Sequence, residues 1–421
     1  MKMHDSFPRY VDFQPKVPVW CVTPERRGCL HRFFDTSPIS PSGRYLAVFQ
    51  LPFEDHQPEP GDVGHIVVID LESGTDAVVA ETRGWEPQMG ANLNWGGNDH
   101  ELFFNDVNTD TWEPFAWKLD PLTGDTQRMG GSVYHASPDG KWLIAANMAT
   151  MRKTQPGYGV AVPPDIVGRS IGPVDNDGFW LTDTQTGETR LILSLVDAFA
   201  RADPPIRLDN PDTYELYGFH SKFNPQSDRL MLSIRGYPVT DEPLWDAFGR
   251  GHNDVRFAWV TMTLDGSELH CAVGPEEWVK GGHHATWFPD GQRISMNLNI
   301  DREGLRFVQV NADGSGLRTM LEKTPGSGHP TVHQDNSHVL TDTYTLEKTS
   351  FGDGTIPLRW IDLKSGREDV LVRINTQQPC KDSVMRVDPH PAWDRTWRYV
   401  TFNAFVDGTR RVYVADMKDI L

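Results

Sequence analysis

Cysteine is scarce in this chain, with four among 421 residues and none spaced as a CxxC pair. Neither a disulfide scaffold nor a zinc ribbon is indicated. Long hydrophobic runs are missing too. No segment approaches the ~20 apolar residues that cross a bilayer. The opening MKMHDSFPRYVDFQPK lacks the apolar core of a secretion signal. A soluble, cytoplasmic protein with no membrane partner is the expectation. Positive charge is in deficit: 40 Lys and Arg against 58 Asp and Glu give a net charge of −18. Nucleic-acid phosphates need a basic face, so a nucleic-acid partner is excluded. A small anion in a local cationic pocket is not. No Walker loop, HExxH, dinucleotide fingerprint or GxSxG elbow occurs, which removes the commonest nucleotide-dependent and serine-hydrolase chemistries.

What the chain does have is turns and aromatics: 37 Gly, 31 Pro and 14 Trp. Two patterns alternate along it, each occurring seven times. One is a tight turn feeding an apolar strand, as in ASPDGKWLIAA at 136–146 and WFPDGQRISMNL at 287–298. The other is a strand running into a turn, as in VVIDLESG at 67–74 and WIDLKSG at 360–366. β-rich units of blade-like length, none able to bury both faces alone, predict an all-β, single-domain, seven-bladed β-propeller over residues 37–421. Period-2 alternation in RLMLSI and RYVTFN reads as half-buried strands. Residues 1–36 form an N-terminal segment expected to help close the ring. Two repeats are stretched, at 148–178 and 236–256, and loops of that length are usually functional walls.

Four histidines occupy the same point of four successive repeats: His220, His284, His329 and His390. In a ring, equal positions converge on one axis. A lone histidine in a turn is ordinarily structural, but the same position is Asn92 and Val133 in other repeats, so folding does not demand the imidazole. His284, His329 and His390 come from consecutive repeats and suit a divalent transition metal with an open position. Asp388 could add an oxygen ligand. His283 and His333 read as supporting residues. His220 is read as a general base, with Arg235 as a cation close to it and Tyr158 assisting a leaving group. Arg152, Arg169, Lys222 and Tyr217 complete a candidate substrate-binding set. A metal, cations and a Tyr/His pair suit abstraction of a proton beside a carboxylate.

HPAWDRTWRYVTFNAFVDGTRRVYVADM, HSKFNPQSDRLMLSIRG and HHATWFPDGQ resemble blades of oligogalacturonate lyases. CLHRFFDTSPISPSG and TQPGYGV are similar to the wider group of propeller lyases that act on ulvan and rhamnose–glucuronate linkages. The resemblance implies a cytoplasmic enzyme that cleaves a uronate-containing oligosaccharide by β-elimination, leaving a 4,5-unsaturated uronate. It implies manganese as the metal, with zinc and calcium as alternatives. It matches His220 to the catalytic histidine and His284 and His390 to metal ligands. The last blade departs from the pattern, with Asp388, His390 and Met385 where the family has two histidines and a glutamine. Two other readings stand beside it: a non-catalytic propeller binding a protein or carbohydrate, and a metal-dependent sugar-acid hydrolase or isomerase.

Overall fold

The turn that recurs in the sequence also builds the architecture. In WFPDG the Phe288 amide bonds to the Arg293 carbonyl at 2.8 Å. Asp290 Oδ1 accepts the Gln292 and Arg293 amides at 2.8 and 3.0 Å, and Gly291 takes a φ of +66°. The corresponding positions Gly43, Gly140, Ser227, Asn336 and Trp397 also have positive φ, a conformation that glycine and asparagine adopt at least cost. Each turn returns the chain antiparallel and starts a new sheet.

The computed structural model describes residues 3–240, 255–380 and 382–421. Most of the second long loop, residues 241–254, lies outside them. Seven four-stranded antiparallel sheets are present among the described residues. In six of them the strands run in sequence order from the axis outward, over residues 29–82, 94–128, 135–194, 214–273, 282–319 and 331–375. The seventh takes its inner three strands, Ala392–Trp393, Tyr399–Val406 and Thr409–Asp416, from the end of the chain. Its outer strand, Val19–Cys21, comes from the beginning. Val19 pairs with Ala415 and Cys21 with Tyr413, so the N-terminal segment closes the ring. The fold is a seven-bladed β-propeller.

Burial in the central strands does not follow the expected alternation. In Tyr399–Val406 every residue but the last is buried, and Arg229–Pro238 is buried almost throughout. Blades stack face to face, so a middle strand is covered on both sides. Polar side chains in these strands sit in the core as well, including Ser233, Thr401 and Asn403. Solvated strand faces lie at the rim, where Thr75–Thr82 is largely exposed.

The first blade differs from the others at the axis. Its innermost strand begins as Cys29–Leu30, paired with Gln50 and Phe49, then breaks. Pairing resumes only at Ile39 with Leu46. The intervening segment fills the middle of the ring and touches every other blade. Arg32 reaches Asn92 and the Tyr134 carbonyl. Phe33 packs against His220, His284, His329 and His390. Asp35 lies between Arg32 Nη1 at 2.7 Å and Lys222 Nζ at 2.8 Å, all three side chains almost wholly buried. Burial alone would raise the Asp35 carboxyl, but Lys222 and Arg32 beside it hold it well below the usual range. This segment is the hub of the propeller.

Removing one member of such a buried set strands the opposite charge. Asp35→Leu, which leaves both Arg32 and Lys222 without their carboxylate, is expected to cost about 3–5 kcal/mol in denaturant unfolding. Pairing it with Lys222→Met should return part of that loss, since Arg32 alone then lacks its counter-charge. A double variant as unstable as the single one would show that the pair does not act as a unit.

Candidate metal centre and active site

The aligned histidines owe their direction to a break in strand regularity. His220, His284, His329 and His390 each precede by four residues an amide that closes a blade turn: Asn224, Phe288, His333 and Asp394. Pairing slips between Gly218 and Ser221 and between His283 and Thr286. His284 and His390 have φ values of +58° and +49°, and Asn92, at the same place in the second blade, has +53°. Bulges of this kind re-aim side chains. Here they turn them onto Phe33.

Three groups then converge. One ligand atom from each of His329, Asp388 and His390 falls within 4.8 Å of the others, and all three residues are buried. His329 Nδ1 donates to Asp342, 2.9 Å from Oδ1, and the His329 amide donates to the same oxygen at 2.7 Å. His390 Nδ1 donates to the Arg32 carbonyl at 3.1 Å. Both Nε2 atoms are buried without a hydrogen-bond partner. An imidazole fixed through Nδ1 with a bare Nε2 lone pair is oriented as a metal ligand is. Burial holds His390 well below the ordinary histidine range, with His329 adding to it, so it is neutral and ready to coordinate. The donors are two imidazoles and one carboxylate, a set that fits a divalent transition ion.

His284 stands beside this group. Its ring centroid is 4.0 Å from that of His329. Its Nδ1 lies 2.7 Å from the Gly328 carbonyl and its Nε2 3.4 Å from the Tyr344 hydroxyl. It is only half-buried, unlike the other three aligned histidines. Burial, His329 and His283 keep its imidazole neutral. Asp388, rather than His284, supplies the third converging donor. His283 supports His284, with the two Nδ1 atoms 2.7 Å apart. His333 lies among Trp360, Trp393 and Trp397, away from the cluster.

His220 is enclosed. Phe219 stacks on it at 3.9 Å and Tyr134 at 5.1 Å, while Tyr158 lies 5.9 Å away. Its Nε2 has no partner, and burial, then Lys222 and Arg235, hold its imidazole well below the usual range. The long loop of the third blade does bring Tyr158 to the histidines. Burial pushes that phenol up to about 12, so it is a proton donor at neutral pH.

The expected cations divide. Arg235 lies over the Phe219 ring at 3.5 Å and donates to Gln155 Oε1 at 2.7 Å. Arg152 donates to the Pro58 carbonyl. Arg169 and Tyr217 both bond to Glu215, and Lys222 pairs with Asp35. These contacts give Arg169, Tyr217 and Lys222 structural partners in place of the open substrate-facing positions expected for them. The cation beside the metal-capable group is instead Arg386, whose Nε donates to Asp388 Oδ2 at 2.9 Å. Burial opposes its charge, yet Asp388, Tyr158 and Tyr344 around it raise its pKa above the arginine norm. Sequence reasoning missed Arg386, although it lies two residues from Asp388. It also missed Tyr344 and the hub.

The site therefore defines a propeller with an axial, metal-capable histidine centre flanked by a cation and two phenols. Solved structures with this architecture include an oligogalacturonate lyase in complex with manganese, 15% identical, with a TM-score of 0.64 over 98% of this chain and 96% of that one. An oligogalacturonate lyase from Vibrio parahaemolyticus is 16% identical, with a TM-score of 0.61 over 98% of this chain and 96% of its own. The propeller domain of the Trilobed protease from Pyrococcus furiosus matches at 10% identity, TM-score 0.50, over 89% and 92%. The chain is thus similar in fold to oligogalacturonate lyases. No protein-family model and no curated protein matches its sequence. Among the described residues no helix is long and apolar enough to cross a membrane.

Glu86 gives a test of how dry this region is. It accepts the Gly159 amide, next to Tyr158, and burial pushes its carboxyl from 4.5 up to about 8. The folded chain therefore holds a proton that the unfolded chain has released. Its contribution to stability is full below about 4.5 and declines as pH rises toward about 8. Glu86→Gln should remove that decline, so its melting temperature should gain on the parent's across this window. A constant difference would mean that Glu86 is ionised in the fold.

Proposed function

We propose that this protein is a lyase that cleaves a uronate-containing oligosaccharide by β-elimination. The observation that carries the reading is the convergence of His329, Asp388 and His390, with His284, Tyr344, Tyr158 and Arg386 gathered beside them. The whole-chain likeness in fold to oligogalacturonate lyases, one of them in complex with manganese, supports it. His329, Asp388 and His390 would hold a divalent cation, manganese by preference. Such a cation neutralises a substrate carboxylate and thereby acidifies the C–H beside it.

The chain's own groups supply the rest. Arg386 binds the uronate carboxylate and fixes its orientation. His284, neutral and half-open to solvent, removes the proton at C5. The C5–H electron pair forms the C4–C5 double bond as the C4–O bond breaks. Tyr158, which keeps its proton, protonates the departing oxygen. The sequence reading gave the basic role to His220 and the cationic role to Arg235. The aromatic enclosure of one and the Phe219 and Gln155 contacts of the other favour His284 and Arg386. His220 is proposed instead to support Tyr158 from beneath. A cytoplasmic setting remains part of the proposal.

Purified protein incubated with pectic, ulvan-type and rhamnose–glucuronate oligosaccharides should produce ultraviolet absorbance from the unsaturated uronate on one of them, abolished by EDTA. His284→Gln should lower turnover by roughly 10²–10⁴-fold and keep stoichiometric metal, whereas His390→Ala should lose the metal. Flat traces on all substrates, with metal bound, would refute the lyase reading and leave a metal-holding binding protein. Loss of metal in His284→Gln would make that residue a ligand rather than the base.

A further inference from the structure

The axis has a second mouth, at the far ends of the innermost strands. Phe34, Asp35 and Lys222 form its floor. Phe34 also packs against His284 and His329, so the floor divides this mouth from the histidine centre. A cavity of about 360 Å³ opens there. Its walls carry Trp95, Trp287, Trp393 and Trp397, from the second, fifth and seventh blades. The indole N–H groups of Trp95 and Trp287 donate into the protein, to the Pro38 and Lys222 carbonyls at 2.8 and 3.4 Å. What these two rings turn to the cavity is therefore carbon.

Of the charged residues in the lining, Arg395 is exposed, whereas Asp35, Lys222 and Asp394 are buried. Its Nη2 donates to the Gly96 and Trp95 carbonyls at 2.6 and 3.4 Å, and its Nη1 to the Pro138 carbonyl at 3.2 Å. Those carbonyls belong to the second and third blades, so the guanidinium reaches over the mouth from the seventh. Among the described residues no carboxylate pairs with it, and its Nε–H is left unused. Burial lowers its pKa, with Asp99 opposing from outside the lining. Asp99 is itself taken up by the Ser42 amide at 3.0 Å. The buried charges are already matched. Asp394 Oδ1 accepts the Arg398 and Tyr399 amides at 2.9 and 2.7 Å, and its Oδ2 accepts the Thr396 amide at 3.1 Å. Lys222 and Arg32 both pair with Asp35. Three cations, Arg32, Lys222 and Arg395, thus stand against two carboxylates, Asp35 and Asp394, in a chain whose net charge is −18.

We infer that this second mouth is a binding site for an aromatic carboxylate, its anionic head on Arg395 and its ring among the tryptophans. A guanidinium held by neutral carbonyls keeps both its charge and its place. An anion that meets it gains a charge-assisted hydrogen bond without ordering a free side chain. A cation would be repelled there, and a neutral ring would forgo the one open charge. A small inorganic anion would leave the aromatic walls unused. A sugar acid would turn hydroxyls onto indole carbon, where they lose water and gain no partner. A flat ring instead finds the offset and edge contacts that indoles favour. The volume lies in the range of small-molecule pockets. The inference does not depend on the lyase reading, because no residue of the metal-capable centre takes part.

The test is a titration of the intact protein with benzoate, its neutral isostere benzamide, acetate and glucuronate, read by tryptophan fluorescence and by ligand-observed NMR. Benzoate should bind with a dissociation constant of about 1 mM, and the other three roughly tenfold or more weaker. Arg395→Leu should weaken benzoate by a similar factor and leave benzamide unchanged. Arg395→Lys should recover part of the loss, since it keeps the charge but not the planar donors. Arg386→Gln, at the other end of the axis, should leave benzoate binding as it is. If Arg395→Leu fails to fold, the benzoate-to-benzamide ratio on the unaltered protein decides the matter. Equal affinity for those two, acetate or glucuronate binding as tightly as benzoate, an unchanged constant in folded Arg395→Leu, or loss of binding in Arg386→Gln would overturn the inference.

Discussion

The buried carboxylate of Asp35, held between Arg32 and Lys222, is the contact on which the centre of this propeller depends. A seven-bladed ring has a hole along its axis, and packing blade against blade does not fill it. This chain fills it with a break in its own first strand. The segment that leaves the sheet after Leu30 carries two charges and two phenylalanines into a dry space. Each charge must be matched there or the insertion would be too costly. Arg32 and Asp35 match one another within the segment. Lys222, from the fourth blade, ties the segment to the ring, and Asn92 and the Tyr134 carbonyl tie it to the second and third.

The histidine centre inherits its rigidity from that arrangement. His390 is oriented by the Arg32 carbonyl, a backbone atom of the hub itself. Phe33 presents its ring to all four aligned imidazoles, with centroids 4.7–6.0 Å away. A ligand set on mobile side chains would pay rotamer entropy on every binding event. Here the side chains are fixed beforehand, His329 by Asp342 and His390 by the hub. The two Nε2 atoms are left facing one place, and preorganisation of that kind is what a metal or transition-state site requires.

The blades were legible in the sequence because each is announced by a turn whose chemistry is local. Asp290 and Gly291 act within five residues of one another, and so do their counterparts around the ring. The column of histidines was legible for a related reason, since equal offsets from equal turns must lie at equal heights. The hub was not. In the first blade the offset that marks the column falls on Thr36, and the residues displaced from the strand look like an ordinary loop. Their partners, at Asn92, Tyr134 and Lys222, lie 60 to 187 residues away in sequence. Arg386 escaped notice on similar grounds. Its position beside Asp388 is plain, but that Arg235 would be occupied depends on Phe219 of the neighbouring strand and on Gln155, at the end of a helix brought in from the third blade.

Closing the axis also gives the molecule two unlike ends. On one side the hub exposes carbonyl and aromatic surface to imidazoles, a carboxylate and Arg386, an environment built for charge. On the other it offers Phe34 and the Asp35–Lys222 ion pair to tryptophans drawn from three blades. A hollow channel would let water and ions equilibrate between the mouths and would average these environments. Asp35 sets one negative charge against two cations, Lys222 and Arg32, so it is the packing of the plug, and not charge neutrality, that keeps the two ends apart. The same ion pairs that permit a plug in the ring therefore give the axis two separate linings.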